Sequence, residues 1–478
     1  MRRSKFVAAL AASAAISTLP IPRAVAAAGP QTSAVADLRF GFAPVPANAP
    51  GFAPAGEARS LIAPGTASPA GTPIPGDQWT GLLPGGGRFV LRVPANWNGT
   101  LVIAGTPATL CEFSNDAIWS DFVLARGAAF ASSNKRIPYD AIAEPIAGLA
   151  NPHGAYPIPF DVAGLETKAL AFRLGELDPV PVRIAQWNDD FHELAIMMRA
   201  LLSSSYRAPR RVYAVGLANG GAQVRSLLET HPADVDGGVE WSGIFWSPTI
   251  SPLDYLPPFL SAMPGYIRSG YADRTILARL ARFGFPPDVA GSDPAHPSLY
   301  AEYYSNSAGC FADKAVFSLA LLVDPKATAS AGLCTPDAAD PLHAPGTCAG
   351  SGLALPSKRA TYSPSSEARA AIRRFRHTGA IEKPLISIAG TRDPFVTPQI
   401  NAIGYQRAVS SARRGHLHRL FLVENGTHLD PLAAFGYGLR PQLPFAWAAY
   451  DRLVRTVESG DTSGTGTIVT VSNPAHLL

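Results

Sequence analysis

The sequence has few charged residues, few cysteines and no long hydrophobic run outside its amino terminus. Only 16% of its 478 residues are charged, and the formal net charge is +4. No run of lysine or arginine occurs, so the charge pattern does not predict a nucleic-acid partner. Beyond the first 28 residues no apolar stretch reaches the roughly 20 residues that a transmembrane helix needs. We therefore expect no integral contact with a membrane.

Glycine and proline are abundant, with 43 and 45 residues respectively. This content excludes a coiled coil or a long helical bundle. A hydrophobic fraction of 47% excludes a chain that is disordered throughout. The composition predicts a globular protein that is rich in loops.

The amino terminus has the pattern of a secretory signal peptide. Arg2, Arg3 and Lys5 precede an apolar run over residues 6–19, and small residues follow at Ala24 to Ala28. We assign residues 1–28 to the signal and expect a secreted or periplasmic protein. No cysteine lies at the cleavage site, which argues against a lipoprotein.

Export makes disulfides the favoured state of the four cysteines. Cys334 and Cys348 are close in sequence, inside a stretch rich in proline and glycine, and we predict that they pair. Cys111 and Cys310 are then left for the second bridge. The alternative is that some of the four are free buried thiols. No C-x-x-C motif occurs, so we expect neither a zinc site of that type nor thioredoxin-type chemistry.

Alternating strand and helix patterns occupy residues 85–249 and 379–460, the predicted core. Such alternation indicates an α/β fold with a mostly parallel sheet and helices on both faces. Residues 250–378 interrupt the alternation and are rich in proline and aromatic residues, which indicates an inserted cap. Residues 29–84 are predicted to form an extension rich in proline, alanine and glycine, and residues 461–478 a tail. Helical spacing begins at Asp189, with Asn188 as a candidate N-cap.

A glycine-flanked turn follows the buried strand that starts at Arg211. It reads Gly216-Leu217-Ala218-Asn219-Gly220 and leads into a helix. This is the context of a nucleophile elbow, G-x-S-x-G, where a sharp turn presents the nucleophile. The central residue here is Ala218, whose methyl group cannot attack a carbonyl.

The other members of a catalytic triad follow in hydrolase order. Asp393 comes just after a strand and can orient an imidazole, and His428 follows the last predicted core strand and can act as general base. An oxyanion hole needs two backbone N–H groups. We assign one to Asn219 and the other to Thr106, because Pro107 has no N–H.

These residues resemble the α/β-hydrolase family over roughly residues 85–250 and 380–460. Within it, the segment Gly216 to Gly221 followed by Asp236-Gly237-Gly238-Val239 is similar to secreted esterases that act on polyesters. The families concerned are 3-hydroxybutyrate oligomer hydrolases, polyhydroxybutyrate depolymerases and tannase-like esterases. The resemblance implies a serine ester hydrolase acting on a hydrophobic ester or polyester, with a cap that forms an apolar pocket over the elbow. This acyl-transfer chemistry implies no metal or cofactor. The chain departs from these families at Ala218.

Two functions stay open from the sequence. The first is a secreted ester hydrolase whose nucleophile is replaced by alanine, which leaves it inactive as written. The second is a natural pseudoenzyme that binds a ligand on the same scaffold. Retention of both Asp393 and His428 favours the first. Other histidines are weaker candidates for a functional role. His416 and His418 form an H-x-H without a third metal ligand nearby, and His192 is expected to pack or cap on its helix.

Overall fold

The computed structural model describes residues 74–108, 112–136, 183–294, 296–304, 311–327, 358–460 and 465–478, with a few residues between 61 and 69. All four cysteines lie outside these ranges, as does the predicted signal. The disulfide pairings and the export signal therefore stay predictions. Within the described ranges, no helix combines the length and the hydropathy needed to cross a membrane.

A single nine-stranded sheet organises the described chain. Its strands are β1 (Gly76–Leu82), β2 (Arg88–Pro94), β3 (Thr100–Gly105), β4 (Ala129–Ser133), β5 (Arg211–Leu217), β6 (Gly237–Trp241), β7 (Leu385–Gly390), β8 (His418–Val423) and β9 (Ile468–Val471). Their order across the sheet is β1-β2-β4-β3-β5-β6-β7-β8-β9. β2 pairs antiparallel with both β1 and β4, and all the pairs from β4 to β9 are parallel.

Helices cover both faces of the sheet. Numbered in chain order, those of the core are α1 (Asp121–Leu124), α2 (Arg183–Ser205), α3 (Asn219–Thr230), α9 (Pro398–Ser411) and α10 (Leu443–Ser459). The parallel strands read as continuous apolar runs because each face is covered. In β5, Tyr213 and Val215 join one apolar cluster, whereas Val212 and Ala214 join the other. The predicted α/β-hydrolase fold is confirmed by this topology.

The sheet extends at both edges beyond the predicted core. β1 lies in the stretch predicted as an extension, and β9 lies in the stretch predicted as a tail. Both are edge strands whose own patterns are weak, with β1 paired antiparallel to β2 and β9 paired parallel to β8, so periodicity alone does not reveal them. The predicted N-cap at Asn188 is wrong, because α2 begins at Arg183. Ile184 and Trp187 are buried, and this burial extends the helix by more than a turn.

The cap is built from short helices: α4 (Pro252–Arg268), α5 (Arg274–Arg282), α6 (Leu299–Tyr304), α7 (Phe311–Val323) and α8 (Ser366–Phe375). Aromatic rings form much of its core, with Phe259 stacked on Phe285 at 5.1 Å and edge-on to Tyr300 at 5.4 Å. The cap meets the core at the carboxyl edge of the sheet, since the Tyr303 hydroxyl lies 3.0 Å from Thr427 Oγ1, just after β8.

Candidate active site

Ala218 occupies a strained turn between β5 and α3. Its backbone has φ 55° and ψ −112°, outside the region that L-residues favour. The turn is held by the Ala218 N–H, which donates to the Trp241 carbonyl at 3.0 Å, and by the Ile244 N–H, which donates to the Ala218 carbonyl at 3.2 Å. This is the geometry of a nucleophile elbow, with a methyl group at its tip.

The glycines around Ala218 are required by close backbone approach. A Cβ on Gly216 would overlap the Gly220 carbonyl group, and a Cβ on Gly220 would overlap the Gly105 carbonyl oxygen. A Cβ on Gly221 would lie 2.7 Å from Gly243 Cα. Backbone therefore packs directly against backbone where four elements meet: the ends of β3 and β5, the start of α3 and the turn after β6.

A buried ion pair supports the turn after β6. The Arg225 guanidinium on α3 pairs with Glu240 of β6, and Glu240 Oε2 accepts from the Gly243 N–H at 2.6 Å. Arg225 also lies over the Tyr405 ring at 4.1 Å. The pair links the elbow helix to the strand beside it, so that Gly243 remains in contact with Gly221.

Asp393 and His428 meet as the sequence predicts. His428 Nδ1 lies 3.0 Å from Asp393 Oδ2, and both side chains are buried. The other carboxylate oxygen, Oδ1, accepts from the N–H groups of Phe395 at 2.9 Å and Val396 at 2.8 Å. These two donors hold the carboxylate in one orientation, which leaves Oδ2 to orient the imidazole.

The loops that carry Asp393 and His428 are joined by their own backbones. The Arg392 N–H donates to the Gly426 carbonyl at 2.8 Å, and the Thr391 N–H donates to the Val423 carbonyl at 3.0 Å. A Cβ on Gly390 would overlap the Gly426 carbonyl. Because β5, β6, β7 and β8 are consecutive parallel strands of the sheet, their carboxyl ends place these loops along the same sheet edge as the elbow.

Thr106 and Asn219, the predicted oxyanion residues, lie on the two elements that flank the elbow. Asn219 is the first residue of α3, where N–H groups have no partner within the helix. The Thr106 side chain is buried and binds the end of β4, through the Ser133 carbonyl and Ser132 Oγ. Which N–H groups receive an oxyanion stays a prediction.

Lys135, which the sequence analysis missed, holds residues 106–108, the loop after β3 that we call the oxyanion loop. Its buried ammonium binds the carbonyls of Thr106 at 2.7 Å, Pro107 at 3.4 Å and Ala108. It also lies 4.3 Å from the Trp187 ring. The Ala108 carbonyl accepts a long bond, 3.4 Å, from Asn219 Nδ2, which ties the same loop to α3. No motif marks Lys135, because its three acceptors are backbone groups about 28 residues away.

Ser242 is a second residue that the sequence analysis missed. It follows β6 with φ 47°, is buried, and its Oγ has no hydrogen-bond partner in the described part of the chain. Its N–H donates to the Ile388 carbonyl at 2.7 Å, which places it beside β7. A serine with a strained backbone therefore lies at the end of β6, the strand that pairs with β5 beside the elbow.

A cavity of about 410 Å³ lies inside the cap rather than over the elbow. Its lining comes from α4, α5 and the segment 358–364, and includes Leu253, Pro257, Phe283 and Tyr362. None of Ala218, Asp393 and His428 lines it. The expected pocket directly over the elbow stays a prediction.

Comparison with known proteins finds only distant structural likeness. No protein-family model matches the sequence, and no curated protein matches it. Among solved structures, feruloyl esterase B from Aspergillus oryzae is 11% identical with a TM-score of 0.49, over 81% of this chain and 82% of that one. An esterase from Aspergillus oryzae is 12% identical with a TM-score of 0.42, over 89% and 90% of the two chains.

The acylaminoacyl peptidase of Pyrococcus horikoshii is 9% identical with a TM-score of 0.40. The match covers 84% of this chain but only 44% of the peptidase. Likeness at this level carries no argument about activity, and the fold assignment rests on the strand order and on the elbow. The chain has the α/β-hydrolase fold, with an alanine where that fold presents its nucleophile.

Proposed function

We propose that the chain carries the machinery of a serine-type carboxylic ester hydrolase in which Ala218 occupies the nucleophile position. With alanine at this position, we expect the chain to have no more than a residual esterase activity. One observation carries the proposal: the buried Asp393–His428 pair is intact, with the carboxylate oriented by two backbone donors. A scaffold that only binds a ligand has no chemical use for this pair.

The strain at Ala218 supports the same proposal. A backbone at positive φ costs roughly 1–2 kcal/mol for a residue with a Cβ, and it persists only where the surroundings impose it. Here the surrounding glycine contacts impose it. An elbow that is still held in this form would present a serine hydroxyl at position 218 without rearrangement.

With serine at position 218, the reaction is acyl transfer in two steps. The imidazole of His428 takes the serine proton, and the serine oxygen attacks the ester carbonyl. Asp393 holds the imidazole in the required tautomer and stabilises its protonated form. The imidazolium then protonates the departing alcohol. Water, deprotonated by the same imidazole, attacks the acyl-enzyme and releases the acid.

Backbone N–H groups stabilise the oxyanion in this scheme. Asn219 supplies one donor from the start of α3. The Thr106 N–H is the proposed second donor, from the loop that follows β3. Lys135 acts as a positioning residue, since its ammonium orients the carbonyls of this loop.

A hydrophobic ester or polyester is the proposed substrate. The proposal draws on the resemblance to polyester-directed esterases and on the aromatic cap, which meets the core beside the loop of His428. We also propose export, with the mature chain beginning near Ala28. Mass spectrometry of the exported protein would give its first residue.

The alternative is a ligand-binding pseudoenzyme, and Ala218 itself is the observation that favours it. The variant Ala218→Ser separates the two functions. Removal of a triad nucleophile costs on the order of 10⁶ in kcat, so we expect the serine form to exceed the present chain by several orders of magnitude. The assay is a panel of aryl esters, oligoesters and insoluble polyesters.

The double variant Ala218→Ser, His428→Gln is the matched control, because it keeps the new hydroxyl and removes the base. It should fall back towards the rate of the present chain. If the folded Ala218→Ser protein hydrolyses nothing on the panel, the pseudoenzyme function is preferred. If the present chain hydrolyses esters at an enzymatic rate, Ser242→Ala shows whether that second hydroxyl is responsible.

A further inference from the structure

Two histidines and an aspartate meet at the end of α3 opposite the elbow. His192 lies in the middle of α2, His231 directly follows α3, and Asp234 ends the short helical turn after it. Nitrogen and carboxylate oxygen atoms of the three residues all lie within 4.8 Å of one another. His192 Nδ1 lies 2.6 Å from Asp234 Oδ2, and the two imidazole rings are stacked with centroids 3.7 Å apart.

We infer that His192, His231 and Asp234 form a binding site for one Zn²⁺ ion that joins α2 to the carboxyl end of α3. Two imidazoles and one carboxylate are ligands that zinc binds well, at about 2.0–2.2 Å each. In a tetrahedral site, neighbouring ligand atoms are a little over 3 Å apart. The two rings are stacked with their planes 12° apart, so one imidazole must turn about its Cβ–Cγ bond before both nitrogen lone pairs point at the ion. Three protein ligands leave one coordination position for water.

The backbone that carries two of the ligands is already held in place. The Arg199 guanidinium, on the same helix as His192, donates to the carbonyls of Ala233 and Asp234 at 3.1 Å each. The His231 N–H donates to the Leu227 carbonyl at 2.8 Å, and the Asp234 N–H donates to the His231 carbonyl at 3.0 Å. The backbone of His231 and Asp234 is therefore held before an ion arrives, which leaves only side-chain rotations to be fixed on binding.

Charge and exposure also suit a divalent cation. The three ligands are each partly exposed, so that an ion can enter from solvent. Asp189 is exposed one helical turn before His192, on a neighbouring face of α2. Asp234 and Asp189 together balance the charge of a bound Zn²⁺. The hard cations Mg²⁺ and Ca²⁺ prefer all-oxygen sites and are not expected to bind here.

The site is independent of the proposed esterase chemistry. α3 begins at Asn219 and ends at Thr230, so that its 12 residues separate His231 from the elbow by about 18 Å. Zinc binding would fasten the far end of the elbow helix to α2. It takes no part in the acyl transfer described above.

Isothermal titration of the full chain with ZnCl₂ tests the inference, using protein without a polyhistidine tag and stripped with EDTA. We expect saturable binding of one ion per chain and a rise in the melting temperature. His192→Ala and His231→Ala should each weaken binding about tenfold or more, as loss of metal-site residues typically does. Co²⁺ in place of Zn²⁺ should give visible d–d absorption that the double variant lacks. An excess of about 100-fold Mg²⁺ should not displace the zinc.

His296→Ala is the matched control. His296 Nδ1 lies 2.8 Å from Glu302 Oε1, the same kind of hydrogen bond but without a second imidazole in the described ranges that could complete a site. This variant should bind zinc as the parent does. Asp234→Asn serves as the conservative variant if a histidine change alters folding in EDTA. The inference is overturned if no saturable binding occurs, or if the double histidine variant binds as the parent does; in either case the three residues form an ion pair and a stacked ring only.

Discussion

Two histidine–aspartate pairs lie at opposite ends of α3 and differ in their surroundings. The His428–Asp393 pair is separated by 3.0 Å, with side-chain exposures of 3% and 0%. The His192–Asp234 pair is separated by 2.6 Å, with exposures of 29% and 13%. The hydrogen bonds are alike. Burial, and the groups that hold each carboxylate, suit one pair to the proposed proton transfer and the other to the inferred ion binding.

The carboxylates show this difference most clearly. Asp393 accepts two backbone N–H groups on one oxygen and presents the other to the imidazole, within loops that are joined backbone to backbone. Asp234 sits on a surface turn beside a second histidine. A general base needs one tautomer and one orientation, whereas a metal site needs several lone pairs directed at one point.

The largest expected effect separates the two pairs by kinetics. In the Ala218→Ser background, Asp393→Asn should lower kcat by about 10⁴, because the amide favours the wrong tautomer of the imidazole. Asp234→Asn in the same background should leave kcat within about twofold, since that carboxylate is a full helix length from the elbow. Steady-state kinetics on one soluble aryl ester gives both numbers. Equal losses of kcat in the two variants would show that the two pairs do not differ in their part in catalysis.

A second effect compares the elbow with a turn in the cap. Gly220→Ala places a Cβ on the Gly105 carbonyl oxygen, and overpacking of this kind costs roughly 1–3 kcal/mol or more. Gly270→Ala, at φ 63° with no atom within 4 Å of its Cβ, should cost only about 1 kcal/mol. Urea unfolding of both variants measures the difference. If Gly220→Ala lowers the free energy of unfolding no more than Gly270→Ala does, the backbone around the elbow can shift to accept a Cβ at little cost.

The smallest effect concerns a third histidine beside the elbow helix. His377 is buried, with Nε2 3.0 Å from the Ala222 carbonyl and Nδ1 3.2 Å from the Trp246 N–H. Burial lowers the pKa of His377 to about 4, and the nearby Arg225 adds to the shift. The folded protein thus keeps this imidazole neutral where an unfolded chain, with a pKa near 6.5, would protonate it.

The sign of the resulting pH dependence follows from proton uptake. Between pH 6.5 and 4 the unfolded chain binds more protons at His377 than the folded chain does, so stability falls as the pH falls. At pH 5 the loss is on the order of 2 kcal/mol relative to pH 7.5. In His377→Asn this part of the loss should disappear, as shown by urea midpoints at the two pH values. An unchanged pH slope would show that His377 is protonated in the folded protein.

Much of the site was predictable because its members follow local patterns. Gly216 and Gly220 flank three residues where a buried strand ends, and Asp393 and His428 each follow a buried strand. In a parallel sheet the carboxyl ends of neighbouring strands meet at one edge, so order along the chain predicts proximity in space. The helix of His192 was also predicted, although its start was placed at Asp189, more than one turn after the observed start at Arg183.

By itself the sequence determined the alternation of strands and helices, the elbow with alanine at its centre, and the order of the acid and the base. Each of these depends on residues close together in the chain. Only the tertiary structure decided that β1 and β9 complete the sheet, that Lys135 binds the carbonyls of the oxyanion loop, and that His192 meets His231 and Asp234. Those contacts join residues about 28 to 50 apart, or edge strands with weak patterns, and no periodicity encodes which side chains long-range packing brings together.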